Sequence, residues 1–189
     1  MEFFDVCDER GEPTGELVDR ETAHREGVRH RTAHVWILRQ RGDRTELLLQ
    51  KRSRNKDSFP GLYDTSSAGH IPAGEEPLAS ALRELEEELG LRAAPEELTL
   101  IGTDSVCYEK RFHGKLFRDN EFIHVYLYTG TVDTASLRLQ QEEVERVDWF
   151  DLEEVSREIE TSRERFCVPR ETLRLLREHL DRQRGRVAK

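Results

Sequence analysis

GHIPAGEEPLASALRELEEELGL, residues Gly69 to Leu91, reads as a glycine-bearing loop that runs into a helix with two chemically different faces. At about 100° per residue, Leu78, Leu82, Leu85 and Leu89 fall on one narrow apolar stripe, while Glu84, Glu87 and Glu88 cluster on another side of the same cylinder. Pro77 suits the first helical turn, which has no use for the N–H that proline lacks, and Gly90 supplies the left-handed residue that commonly closes a helix. One face packs and the other is a carboxylate array. Glutamates at i, i+3 and i+4 repel one another by a few tenths of a kcal/mol per pair when merely solvated, so their concentration points to a cation. Hard oxygen ligands suit Mg²⁺ or Mn²⁺ better than zinc. The plainer alternative is an acidic helix face that simply meets water.

Around this stretch the chain has 189 residues, enough for one domain with a sizeable core and too few for two ordinary ones, so a single domain over 1–189 is expected. Charged residues make up 37% of the chain, but the apolar ones come in organised runs, which argues against disorder. A formal net charge of -9 disfavours a nucleic-acid polymer as partner, because binding a polyanion needs a broadly basic surface. Cys7, Cys107 and Cys167 are odd in number, far apart and without C-x-x-C spacing, so neither a disulfide framework nor a structural zinc site is indicated. Reduced thiols of a cytoplasmic protein are the simplest account. The first residues, MEFFDVCDERGEP, lack a basic and then apolar leader, and no run approaches the roughly 18 apolar residues of a membrane span. No membrane partner is expected; a homodimer is compatible with the sequence.

Taken in order, Phe3–Cys7 and a piece around Gly15 to Val18 are expected to form an edge hairpin across the Asp8-Glu9-Arg10-Gly11 turn. His34 to Leu38 reads as a core strand, Arg41-Gly42-Asp43 as a turn and Glu46 to Gln50 as the returning strand. Asp64 to Ser67 is expected as a short strand entering the helix stretch, and Leu98 to Tyr108 as a long one. Arg111 to Asn120 reads as a polar loop. Glu121 to Tyr128, rich in β-branched and aromatic residues, is the strongest strand signal and is expected at the centre of the sheet. Val147 to Phe150 is another short strand, Asp151 the N-cap of a helix to about Ile159, and 169–182 an amphipathic helix using Leu173, Leu176 and Leu180, followed by a basic tail to Lys189. This order of elements points to an α+β domain with helices packed on a mixed sheet.

Gly69, Glu75 and the run Arg83-Glu84-Leu85-Glu86-Glu87-Glu88-Leu89-Gly90-Leu91 match the nine fixed positions of G-x5-E-x7-R-E-U-x-E-E-x-G-U, where U is aliphatic. The stretch 69–91 therefore resembles the Nudix box, which implies a Nudix-type α/β/α sandwich with a mixed β-sheet. Over roughly 3–160 the chain is similar to the isopentenyl-diphosphate isomerase-like branch of that superfamily. The pieces that carry this are Gly11-x-Pro13-x-Gly15, His24, His30, Arg52 with Lys56, Phe59-Pro60-Gly61, Gly69-His70 and Asp119-Asn120-Glu121.

The resemblance implies that Glu84, Glu87 and Glu88 are ligands of a divalent metal, with Glu84 also a candidate for orienting or deprotonating the attacking water. Gly69, Glu75, Arg83 and Gly90 are expected to be structural, Arg83 by bridging carboxylates so that they hold coordinating geometry. A separate metal site would draw on His24, His30, His70, Asp119 and Glu121, with Glu121 also catalytic; Asp119 stands where the branch has a longer glutamate. The basic run Lys51-Arg52-Ser53-Arg54-Asn55-Lys56 is a candidate for phosphate contact through Arg52 and Lys56. The isomerase carries its catalytic cysteine immediately before Gly-His, where this chain has Ala68, and a methyl group cannot shuttle a proton. The expected activity is therefore Mg²⁺- or Mn²⁺-dependent hydrolysis of a small-molecule diphosphate, a nucleoside diphosphate derivative above all. The alternatives are isopentenyl-diphosphate isomerisation and a non-catalytic ligand or metal sensor.

Overall fold

The pairing of two strands far apart in the chain organises the molecule: β3 (His30–Arg41) lies parallel to β8 (Lys115–Tyr128), with His30 opposite Glu121 and Ile37 opposite Tyr128. The structure, a computed structural model, describes residues 2–162 and 164–187. Around this pair runs a mixed seven-stranded sheet in the order β5-β4-β3-β8-β7, with β6 also pairing β3 and β9 pairing β4. Here β4 is Arg44–Arg52, β5 Tyr63–Asp64, β6 Ser67–His70, β7 Leu98–Phe112 and β9 Val144–Asp151. β1 (Phe3–Cys7) and β2 (Pro13–Asp19) form the separate two-stranded hairpin expected at the edge.

Strand alternation sends successive side chains to opposite faces, and both faces are covered. Trp36, Leu47, Leu49, Ile123 and Val125 pack with Leu152, Val155 and Ile159 of α3 (Leu152–Thr161) and with Leu173, Leu176 and Leu180 of α4 (Arg170–Val187). On the other face Val35, Ile37, Leu48 and Tyr126 meet Ala81, Leu85 and Leu89 of α2 (Pro77–Leu89). This is an α+β sandwich of helices on a mixed sheet. Each fully buried leucine contributes about 1.5–3 kcal/mol, so the apolar stripe of α2 holds its carboxylate face in one orientation.

The caps are where the sequence puts them. Pro77 occupies the first turn of α2 and Gly90 closes it at φ 65°. Asp151 caps α3 by accepting from the Glu153 and Glu154 amides. Gly69 has a different reason for being glycine: a Cβ there would lie 2.1 Å from Cδ of Glu84, so only a bare backbone lets β6 approach α2 this closely.

Several expectations are corrected. Arg111 to Asn120 is not a loop: β7 continues to Phe112 and β8 starts at Lys115, joined by a two-residue turn with His113 at φ 48° and Gly114 at φ 78°. Two left-handed residues match the twist of a tight hairpin, and pairing of the start of β8 with the end of β7 outweighs the polar composition. Asp119 is thus a strand residue beside Glu121's face of the sheet. Asp64 to Ser67 is split, because β5 pairs β4 while β6 pairs β3. A short helix α1 (Arg20–Glu26), capped by Asp19 and closed by Gly27 at φ 72°, carries His24 without a long apolar period to announce it. α4 extends to Val187, and the end of the basic tail, 188–189, lies outside the described residues. Cys7, Cys107 and Cys167 carry free thiols, and no helix among the described residues is long and apolar enough to cross a membrane.

Candidate active site

A cleft of about 800 Å³ opens beside the Gly69–Glu84 contact, bounded by α2, β6, the start of β3, β8 and the loop at 53–59. Two clusters of chemistry-bearing side chains share it.

The first is the carboxylate face of α2. Glu88 is buried, and its Oε2 accepts from the Ser67 hydroxyl at 2.7 Å, the Ala68 amide at 3.1 Å and the Gln50 amide nitrogen at 3.1 Å. Burial, with the Glu84 charge adding to it, pushes the Glu88 carboxyl up to about 7 against the pull of those donors. Burial also raises the Glu84 carboxyl, with Arg83 opposing. Arg83 is the hub: Nη1 donates to Glu84 at 2.7 Å and Glu87 at 2.9 Å, and Nη2 donates to the His70 carbonyl at 3.2 Å and Glu75 at 3.5 Å. Glu75 also accepts from Ser80 at 2.8 Å. Glu84, Glu87 and Glu88 are thus held apart along the helix by their partners, and among the described residues they do not form a group whose ligand atoms all lie within 4.8 Å of one another.

Glu88 makes a stability prediction possible. A carboxyl whose folded-state value lies above its unfolded one leaves stability untouched below about pH 4.5; as pH rises the unfolded chain ionises first, so stability falls until about pH 7 and the full cost persists above it. In metal-free protein Glu88→Gln should therefore stabilise by on the order of 1–3 kcal/mol at pH 8 relative to the parent, and by much less at pH 4.5. Urea unfolding with a chelator at the two pH values measures this; an equal effect at both would show that Glu88 does not carry an uncompensated buried charge.

The second cluster joins three histidines from three elements. His24 of α1, His30 of β3 and His70 of β6 bring ligand atoms within 4.8 Å of one another, and His30, Asp119 and Glu121 form an overlapping set. The His24 and His70 Nε2 atoms are 3.3 Å apart. Phe4 stacks on His30 at 4.9 Å and on His70 at 4.6 Å. Nδ1 of His24 lies 2.8 Å from the Arg20 carbonyl and Nδ1 of His30 lies 2.9 Å from the Val28 carbonyl, which assigns the proton to Nδ1 and leaves each Nε2 a lone pair. Burial lowers all three imidazoles, His30 to about 4, which favours their neutral, metal-ligating forms. Nε2 of His30 and Oδ1 of Asp119 are buried with no protein hydrogen bond. Convergent imidazole and carboxylate lone pairs with buried, otherwise unpartnered atoms among them form a donor set that fits a cation.

The basic candidates are less free than the sequence suggests. Arg52 binds Asp64 at 3.0 Å, the Ser58 carbonyl at 3.0 Å and the Ser58 hydroxyl at 3.2 Å. Lys56 pairs with Glu143. Both still line the cleft.

Sequence reasoning missed His34, Thr32, Tyr108 and Asp64, which also line it. Burial lowers the His34 imidazole to about 4, and its Nε2 lies 3.8 Å from Glu121. Thr32 donates to Glu121 at 3.3 Å, and the Tyr108 hydroxyl bonds Asp119. Alternation with Trp36 was the available signal for Thr32 and His34, since residues two apart share a face of a strand.

A family model described as NUDIX domain matches residues 28–169. An uncharacterized Nudix hydrolase of Clostridium acetobutylicum is 38% identical over 156 residues, covering 82% of this chain and 73% of that protein. The isopentenyl-diphosphate Delta-isomerase of Pectobacterium atrosepticum is 32% identical over 163 residues, covering 86% of this chain and 84% of the isomerase. In fold, the chain is similar to the NUDIX domain of Shewanella oneidensis NrtR complexed with ADP ribose, with a TM-score of 0.57 at 17% identity, over 88% of this chain and 94% of that one.

Proposed function

The chain belongs to the NUDIX domain family and is a hydrolase of that family, and from this premise we propose that it is a Mg²⁺- or Mn²⁺-dependent enzyme that splits the diphosphate linkage of a nucleoside diphosphate derivative. The observation that carries the reading is that the α2 carboxylates share one cleft with His24, His70, Asp119 and Glu121, behind which His30 is buried. A divalent cation bound there would neutralise charge developing on the phosphoryl oxygens. The protein's own groups do the rest. Arg83 holds Glu84 and Glu87 in place, and Glu84, against the bare backbone of Gly69, is set to orient or deprotonate the attacking water. Lys56, on a loop and paired with a partly exposed Glu143, can exchange that carboxylate for a phosphate; Arg52, with its contacts to Asp64 and Ser58, chiefly shapes the loop that carries Lys56. That the NrtR domain was solved with ADP ribose is consistent with a nucleoside diphosphate derivative as substrate.

The test is a panel of diphosphate compounds assayed with Mg²⁺, with Mn²⁺ and with chelator. Metal-dependent release of a monophosphate from at least one nucleoside diphosphate derivative is the expected result. Failure of every such compound with both metals would sink the reading.

His24, His30, His70, Asp119 and Glu121 are proposed as a second cation site in the same cleft. Imidazole nitrogens suit Mn²⁺ better than Mg²⁺. Calorimetric titration with Mn²⁺ should show a site that His30→Ala removes and Glu87→Gln leaves intact. An unchanged isotherm for His30→Ala would eliminate it.

A further inference from the structure

We propose that the aromatic wall on the β7–β8 side of the cleft seats a planar heteroaromatic ring at the far end of the substrate, with Phe59 as its stacking face. The inference rests on the hydrolase reading for the diphosphate that such a ring would accompany.

Phe59 stands in the left-handed region at φ 47°, a conformation that a bulky residue adopts only when its surroundings hold it there. What holds it is a set of rings from the hairpin. Phe59 meets Tyr108 at 5.7 Å and 62° and Phe112 at 4.8 Å and 67°, both edge to face. Phe112 lies 5.8 Å from Phe117, and Phe117 stacks on His24 at 4.5 Å and 23°. The rings thus run without a break from the histidine cluster to the loop that carries Lys56, and Phe59, Tyr108 and Phe117 line the cleft.

The occupant follows from what already sits on this wall. The Lys110 ammonium lies 4.7 Å from the centroid of the Phe59 ring and 5.5 Å from that of Phe112. An exposed cation over a ring is favoured only about 2- to 5-fold, whereas a stacked base is favoured about 5- to 100-fold. A planar ring therefore displaces Lys110, an exposed side chain free to swing to the ring's polar edge or to the adjoining phosphate. A saturated chain would instead press hydrocarbon against the Lys110 ammonium, whose charge it could not satisfy.

Binding of adenosine 5′-monophosphate and ribose 5-phosphate to the full chain with Mg²⁺, measured by calorimetry, isolates the base. The parent should bind the nucleotide about 5- to 100-fold more tightly than the sugar phosphate. Phe59→Leu, which keeps apolar bulk without a π face, should erase most of that gap while leaving ribose 5-phosphate binding unchanged, a readout that a mere folding defect would also move; Phe59→Trp should preserve the gap. Phe117→Leu, placed where the wall meets His24, should narrow the gap as well. A parent that binds both compounds equally, or a gap that survives Phe59→Leu and Phe117→Leu, overturns the proposal. Because no turnover is needed, a full gap beside an inactive diphosphate panel would count against the hydrolytic substrate and not against the wall.

Discussion

Glu88→Gln and Glu87→Gln are each expected to lower turnover by at least about 10²-fold, the scale of loss when even an outer partner of a metal ligand is removed. The amide preserves the shape of the side chain and removes the negative charge a divalent cation needs. For Glu88 the effect on folding should run the other way. Its carboxylate is buried among Ser67, Ala68 and Gln50, so the metal-free variant gains stability while losing activity. Glu87 is half exposed and tied to Arg83, so its replacement should leave stability within about 0.5 kcal/mol of the parent. Steady-state rates beside unfolding midpoints read both quantities. A variant as active as the parent would remove that carboxylate from the site, and a rate loss that tracked a loss of stability would point to misfolding.

The unmodified protein should convert no isopentenyl diphosphate to dimethylallyl diphosphate, despite its 32% identity to the isomerase of Pectobacterium atrosepticum. Double-bond migration needs an acid and a base on opposite sides of the substrate, and the position before Gly69-His70 supplies neither. Ala68 presents a methyl group, and its amide is occupied by Glu88. The neighbouring Ser67 hydroxyl is buried and donates to the same carboxylate. His34, the cross-strand neighbour of Ala68, lies 3.8 Å from Glu121, beside the candidate base and not across from it. Product analysis with both metals, against a chelated control, decides the matter. Robust isomerisation by the parent would replace the hydrolytic reading, whereas weak isomerisation only in Ala68→Cys would show that the single missing group separates the two chemistries.

The helix at the centre of the fold was legible because its determinants are local. The apolar period of α2, Pro77 at its start and Gly90 at its end are decided within a turn or two of the chain, and all three stand in the structure as the sequence spells them. The N-cap at Asp151 and the strand at Glu121 to Tyr128 were readable for the same reason. Where local chemistry was ambiguous, tertiary structure decided. Arg111 to Asn120 has the composition of a loop, yet the cross-strand register of Cys107–Phe112 with Lys115–Asn120 makes it the tip of a hairpin. The carboxylate face of α2 reads as uniformly open, but Ser67 and Ala68 of β6, with Gln50, bury Glu88 and leave Glu87 exposed. Arg52 and Lys56 read as free cations until Asp64 and Glu143 arrive beside them. The histidine cluster shows the limit most clearly. His24, His30, His70 and Asp119 could be named in order from the sequence, but their meeting depends on His30 facing Glu121 across a parallel pair, and a slip of one residue would turn those side chains to opposite faces. Periodicity and caps are written in neighbouring residues, whereas the register that assembles a site is set by the packing of the whole sheet.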